Sequence, residues 1–296
     1  MIVSDPIITT HKKLGILEFF TFGLCNGETK HVKTILAIHG NGCTGNWFRM
    51  FDQFARREKV CLVAPTIPGW GLSLAKHPLT PKEFSTVIHQ LMLEHLKIEE
   101  FSVIGVSMGG PYAAAVAALL SQHVLNVNLF LSFGKKAPDN DPFKSLTLIQ
   151  RLGLLILQNP TTTDFLVDWI ILPSIKNSPT LALEQMYPHE FISIKGTPQA
   201  EILLQEMTRS IQWTRVGMKE NSMILLDGEW GFELEEISHV KGRVTITMAQ
   251  NDTMVFENNP KYFARRIPSS ELVVLPNTTH LAATLALEKM FTQLLK

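Results

Sequence analysis

FSVIGVSMGG (101–110) followed by PYAAAVAALL (111–120) joins two kinds of sequence across a single serine. Val103, Ile104 and Val106 form a β-branched apolar run suited to a buried strand, and the Ala-rich stretch after Gly110 has helix character. Between them, Gly105-x-Ser107-x-Gly109 fits a strand–turn–helix in which small neighbours permit a strained turn and expose a serine oxygen. Ser107 is therefore expected in a sparsely populated backbone conformation, because bulky neighbours would clash with the incoming helix. Three fixed positions are weak evidence on their own, since a glycine turn carrying a surface serine also satisfies them. The strand signal before the turn and the helix signal after it give the pattern weight.

Upstream, Gly15–Gly23 reads as a strand ending in a turn, and Lys33–His39 as a short apolar strand entering the loop Gly40–Gly45. Asn46–Arg57 places Trp47, Met50, Phe51 and Phe54 at helical intervals, with Asn46 as the expected cap. Lys59–Ile67 is a further buried strand closed by Pro68-Gly69-Trp70-Gly71, and Thr80–Lys97 carries an apolar helical face. Val127–Phe133 follows the Ala-rich helix as another strand. Short apolar strands alternating with helices argue for an α/β class with a mostly parallel sheet covered on both faces. From Lys135 to about His239 that alternation lapses into helical segments and prolines. Arg243–Gln250 and Glu271–Pro276 restore the strand signal before a last helix, Leu281–Leu295. The expected organisation is a core of residues 1–134 and 242–296 with a helical insertion, 135–241.

Composition narrows the function class. With 296 residues and 45% hydrophobic content, the chain can bury a sizeable core. Its 27 basic and 27 acidic residues balance, and no dense Lys/Arg run appears, so no nucleic-acid partner is expected. Cys25, Cys43 and Cys61 are sparse, odd in number and without CxxC spacing; neither a disulfide framework nor a zinc site is expected, and a reducing compartment follows. Asp5 and Pro6 interrupt any secretory apolar core, and the greasiest tract, Leu146–Leu157, is broken by Arg151 and too short to span a bilayer. A soluble cytoplasmic protein is the expectation, which makes the sequon Asn277-Thr278-Thr279 incidental.

A serine hydroxyl becomes a nucleophile when a base takes its proton, and the base is held by an acid. In parallel sheets such chemistry gathers beyond the carboxyl ends of strands. Asp252 follows the strand Arg243–Gln250, and His280 follows Glu271–Pro276, so Ser107, Asp252 and His280 form a candidate triad in the chain order Ser–Asp–His. Taken singly, the aspartate reads as a turn former and the histidine as a cap. His39, His89, His95, His189 and His239 fit a catalytic base less well by position, and Asp227 is the rival acid. Backbone N–H groups must also meet the charge that develops on the substrate oxygen. Met108, directly after the serine, and Asn41, in the loop after Lys33–His39, are the candidate donors.

With these residues assembled, the chain resembles the α/β-hydrolase superfamily over nearly its whole length. His39-Gly40-Asn41 is similar to the family's HGx oxyanion loop, and Pro68-Gly69-Trp70-Gly71-Leu72-Ser73 to its PGxGxS turn. Gly105-Val106-Ser107-Met108-Gly109-Gly110 is similar to the nucleophile elbow of esterases, cofactor-free perhydrolases and carbon–carbon bond hydrolases. HGN also resembles haloalkane dehalogenases, but those use an aspartate nucleophile where this chain has Ser107. The resemblance implies no cofactor or metal, and a lid at residues 135–241. Three positions depart from it: Thr66 for an Asp, Ala249 for a Gly three before the acid, and Thr279 for a Gly before the histidine.

Apolar stripes in the insertion, at 146–157 and 165–172, are read first as packing against the core. Over a serine nucleophile they also favour an apolar acyl or alkyl group, as do the bulky or adaptable Met186, Met207, Trp213, Met218 and Met223. The expected activity is hydrolysis of a carboxylic ester or thioester of a small to medium apolar compound. Carbon–carbon bond hydrolysis, acyl transfer, a non-catalytic ligand-binding role, and peripheral lipid contact through the lid are the alternatives. Cys43, in the oxyanion loop, is a candidate for thiol-reagent sensitivity.

Overall fold

A computed structural model describes residues 6–11, 15–25, 32–75, 79–143, 160–212, 217 and 229–296. The strands are β1 (Ile7–His11), β2 (Gly15–Gly23), β3 (Lys33–Ile38), β4 (Val60–Pro65), β5 (Leu74–Ala75), β6 (Phe101–Val106), β7 (Val124–Phe130), β8 (Val244–Ala249) and β9 (Ser270–Leu275). They form one sheet in the order β1-β2-β4-β3-β6-β7-β8-β9, with β5 beside β2. From β4 to β9 every pairing is parallel; β1, β2 and β5 make the antiparallel edge. β6, the strand that leads to Ser107, lies between β3 and β7 and is buried throughout. β1 and β5 escaped the sequence reading because they are short edge pieces: Ile7, Ile8 and Leu74 stay exposed, so no core-facing pattern marks them.

The helices are α1 (Asp52–Arg57), α2 (Pro81–His89), α3 (Gly109–Leu119), α4 (Pro160–Leu166), α5 (Leu172–Asn177), α6 (Pro179–Met186), α7 (Pro188–Ile192), α8 (Pro198–Ser210), α9 (Asn258–Arg266), α10 (His280–Ala283) and α11 (Leu287–Leu294). The helix expected over Asn46–Arg57 starts differently. Gly45–Phe51 winds as a tight 3-10 turn before α1, and Thr44, not Asn46, is the cap: its extended backbone lets its Oγ1 accept the Asn46 N–H at 3.2 Å. Thr80 does open α2, through a capping box with Glu83. The last helix is broken at Thr284–Ala286 into α10 and α11.

Two apolar clusters cover the sheet. One joins Leu36, Ile38, Val63 and Val103 to α2 and α3; the other joins Ile35, Ala37, Leu62 and Ile104 to the 3-10 turn, α1 and α11. α3 is apolar all round because it is buried from Gly109 to Ala118. α4 to α8 lie between β7 and β8 in the chain, and residues 160–212 contain helices and turns without a strand. The 146–157 stripe, Trp213, Met218, Met223 and Asp227 lie outside the described residues.

The cysteine expectation is corrected. Cys25, just beyond β2, and Cys61 in β4 form a disulfide. They lie 36 residues apart, and only the antiparallel pairing of β2 with β4 brings them together. No helix among the described residues is long and apolar enough to cross a membrane.

Candidate active site

Ser107 caps the end of β6 with a φ of +54°, in the left-handed region that side chains avoid. Its N–H donates to the Phe130 carbonyl at 2.8 Å, and its own carbonyl accepts the Gly110 N–H at 3.0 Å, so the turn is held from both sides. The flanking glycines follow from crowding. A Cβ at Gly105 would stand 2.4 Å from the Gly109 carbonyl oxygen, and one at Gly109 would stand 2.5 Å from the His39 carbonyl oxygen. Only bare backbone lets α3 approach β6 and β3 this closely.

Beyond β8, Asp252 turns both carboxylate oxygens to use. Oδ1 accepts the N–H groups of Met254 and Val255 at 2.8 and 2.7 Å; Oδ2 lies 2.7 Å from Nδ1 of His280. Both side chains are about 5% exposed or less. Because Oδ2 accepts, Nδ1 carries the proton and Nε2 of His280 is left as the free basic nitrogen. Burial disfavours the charged imidazole, but the Asp252 charge and hydrogen bond, with the charge of Glu190, outweigh it and hold the pKa above the ordinary histidine value. Ser107 and His280 line one cavity of about 70 Å³ with Gly40, Asn41, Trp47 and Leu203. The hydrogen bonds among the described residues link Asp252 to His280 without extending to Ser107.

The oxyanion-loop candidates fall on either side of the serine. A Cβ at Gly40 would lie 3.2 Å from Ser107 Cβ, which sets that loop directly against the elbow. Asn41 reaches the cavity, and Met108 immediately precedes α3, whose N-terminal dipole favours negative charge there. His39 has a different job. Its Nε2 accepts the Ile67 N–H at 2.9 Å, so Nδ1 bears the proton and donates to the Gly40 carbonyl at 2.7 Å. Burial drives its pKa down to about 4, against a small opposing effect of the Gly40 contact. It is a neutral strut and not a base. Cys43 lines the cavity, but burial and the nearby Glu206 charge push its thiol pKa up, which makes a reactive thiolate unfavourable.

The three departures from the family pattern have local explanations. Thr66 Oγ1 donates to the buried Glu18 at 2.8 Å and accepts the Gly45 N–H at 3.0 Å, so a carboxylate from β2 serves the turn. Thr279 caps α10 and meets Ser193 of the helical segment at 2.9 Å. Ala249 simply ends β8 in the apolar core.

The sequence reading missed three buried acids. Glu206 of α8 accepts from Thr44 Oγ1 at 2.6 Å and Asn46 Nδ2 at 2.8 Å, and pairs with Arg49. Arg209 of the same helix meets Glu18 at 3.0 Å. Glu190 of α7 meets Thr253, in the loop that carries Asp252, and Leu281, in the helix that opens with His280. No sequence signal marks Glu190 and Glu206, since a buried acid on a helix of mixed composition looks like a surface one, and Glu18 is a lone acid in the strand β2 whose partners lie far along the chain.

The sheet order and its alternation with helices agree with comparisons to known proteins. The α/β hydrolase fold family matches residues 33–166. The chain has the α/β-hydrolase fold. No curated protein matches it in sequence. Solved structures with this α/β-hydrolase fold superpose over nearly the full length. An enol-lactonase from Burkholderia xenovorans LB400 has a TM-score of 0.65 at 15% identity, covering 98% of this chain and 99% of its own. A thermophilic esterase from Thermogutta terrifontis has a TM-score of 0.64 at 16% identity, covering 99% and 98%. A hydrolase from Pseudomonas aeruginosa PA01 has a TM-score of 0.67 at 15% identity, covering 98% of both chains. Among the described residues, no group of three or more His, Cys, Asp or Glu side chains is arranged to hold a metal ion.

Proposed function

We propose that this protein is a serine hydrolase that cleaves a carboxylic ester or thioester of a small apolar compound, with Ser107, His280 and Asp252 as its triad. The observation that carries the reading is the shared cavity: a serine on a strained elbow faces a histidine whose far nitrogen is held by a buried aspartate. Ser107 Oγ attacks the carbonyl carbon while its proton passes to Nε2 of His280. Asp252 keeps the imidazole oriented and favours its charged form. The N–H groups of Asn41 and Met108 meet the negative oxygen. Collapse of this intermediate sends the proton from His280 to the departing alcohol or thiol and leaves an acyl-serine. Water, deprotonated by the same histidine, then attacks the acyl carbon, and as the bond to Ser107 Oγ breaks His280 returns the proton to that oxygen and the carboxylic acid leaves.

In this reading, residues 135–241 form the lid over a core of 1–134 and 242–296, and no cofactor takes part. The cavity, at about 70 Å³ and lined by Trp47, Val106, Leu203 and Leu281, favours a short apolar acyl group. That the enol-lactonase and the esterase share this fold makes ester chemistry the natural class to test first.

A fluorophosphonate probe, applied to wild type and Ser107→Ala, tests the activated serine. A series of nitrophenyl esters sizes the pocket. Labelling of the wild type alone is expected, with turnover reduced about 10⁴-fold or more in the variant and kcat/KM falling as the acyl chain lengthens. A folded wild type that resists labelling would replace this reading with a ligand-binding role. Labelling without ester turnover would move it to carbon–carbon cleavage or acyl transfer.

A further inference from the structure

Glu190 is fully buried in α7, and no step of the mechanism above uses it. Its Oε1 accepts the Thr253 N–H at 2.9 Å and the Thr253 hydroxyl at 2.8 Å. Its Oε2 accepts the Leu281 N–H at 3.0 Å. Thr253 is the residue after Asp252, and Leu281 is the residue after His280. One carboxylate from the helical segment thus ties the tip of the acid loop to the start of the helix that carries the base.

Lower down, the two connections are already laced together. Gln250 N–H donates to the Leu275 carbonyl at 3.0 Å, and Asn251 N–H to the Thr278 carbonyl at 2.9 Å. Those bonds align the strand ends. Glu190 alone among the described residues bridges the positions adjoining both triad members, and the Ser193–Thr279 contact, at 2.9 Å, braces the same helix against the base loop.

The charge balance adds to the geometry. The three donors to Glu190 are neutral. Among the described residues, Asp252, from the loop after β8, acts on His280, and Tyr187, at the start of α7, feels the Glu190 charge. Burial first, and the Glu190 charge second, push the Tyr187 phenol upward, so it stays neutral. Two carboxylates therefore face the one imidazole that must become cationic when it takes the serine proton.

We propose that Glu190 is a positioning residue of the triad: it fixes Asp252 and His280 relative to each other and stabilises the imidazolium through space. The proposal rests on the serine-hydrolase reading above. It also gives the helical segment a second role, because catalysis then requires α7 to be seated even when the substrate is small. The contribution of Glu190 to the raised His280 pKa agrees with this, standing behind burial, which opposes it, and Asp252, which leads it.

Glu190→Gln keeps the shape but removes the charge, and its amide nitrogen must face one of the three donors. In a folded variant, kcat toward a short nitrophenyl ester is expected to fall about 10- to 100-fold with KM nearly unchanged, the scale of a misplaced catalytic group. The acid limb of the kcat/KM profile is expected to move to lower pH, since loss of a nearby negative charge disfavours the imidazolium. A purely structural carboxylate would leave that limb in place. If wild type labels with fluorophosphonate while the folded variant keeps both its kcat and its acid limb, the proposal is wrong and the hydrolase reading stands. If wild type neither labels nor turns over, both fall together. Should Glu190→Gln fail to fold, Thr253→Ala removes one bond and leaves both backbone donors. A fall in kcat of about fivefold at constant KM, the scale of one hydrogen bond, is then expected, and an unchanged kcat overturns the proposal.

Discussion

The sheet and the helical segment are held by different physics. Around β3, β6 and β7, stability comes from parallel backbone ladders and from apolar faces buried on both sides of the sheet. The segment 160–212 also packs apolar residues such as Leu183 and Phe191 into the core. Where it meets the sheet and its loops, a few buried polar contacts add directed bonds: Glu190 at the residues after Asp252 and His280, Glu206 at Thr44, Asn46 and Arg49, and Arg209 on Glu18. Apolar packing tolerates sliding, whereas a buried carboxylate with directed donors accepts one arrangement. The sheet holds the strand ends, and the directed polar contacts select one seating of the helical segment against it.

Breaking Glu206 tests this contrast most strongly. Glu206→Ala takes the carboxylate partner from Arg49, leaving it Gln205, and frees the Thr44 and Asn46 donors, a loss of about 3–5 kcal/mol for a buried pair. Hydrogen exchange should quicken first in α8 and the Gly40–Gly45 loop, with β6 still protected. Equal loss of protection in β6 and α8 would mean that segment and sheet unfold as one unit, and the contrast would fail.

Acid titration probes the polar strut inside the sheet half. His39 has a folded pKa of about 4, below its ordinary value, so the unfolded chain binds the proton more readily. Stability is then fully present above the ordinary histidine pKa and falls as pH drops toward 4, by about 3 kcal/mol over that window. Urea midpoints at neutral pH and near pH 4.5 measure it. His39→Gln should flatten the dependence, and an unchanged slope would show that other groups govern it.

Gly105→Ala is the smallest of the three. Its Cβ would collide with the Gly109 carbonyl oxygen and with Ala113, and overpacking of this kind costs about 1–3 kcal/mol. Because α3 must retreat from β6, fluorophosphonate labelling of Ser107 should slow more than stability alone explains. Full labelling in a destabilised variant would show that the elbow keeps its shape without tight helix contact.

Much of this was legible in advance, for reasons that differ by residue. The run Val103–Val106 and the alternation of strands with helices announce a parallel sheet because burial on both faces demands continuous apolar strands. Ser107 was legible because only a crowded turn needs Gly105 and Gly109 at that spacing. Asp252 and His280 were placed by a rule about strand ends, and their 2.7 Å contact came with the structure. The cap at Thr44 was missed by two residues, and β1 and β5 were missed because exposed edges carry no burial pattern.

By itself, then, the sequence determined the sheet, the turn at Ser107 and the strand ends beyond which Asp252 and His280 lie, because periodicity and steric demand are local properties of the chain. Tertiary structure alone decided the Cys25–Cys61 disulfide, the strut made by His39, and the burial of Glu18, Glu190 and Glu206. Each of these depends on a partner distant in the chain: 36 residues separate the two cysteines, 91 separate Glu190 from Leu281 and 160 separate Glu206 from Asn46. Whether a carboxylate is solvated or enclosed depends on what folds over it, and no local pattern carries that information.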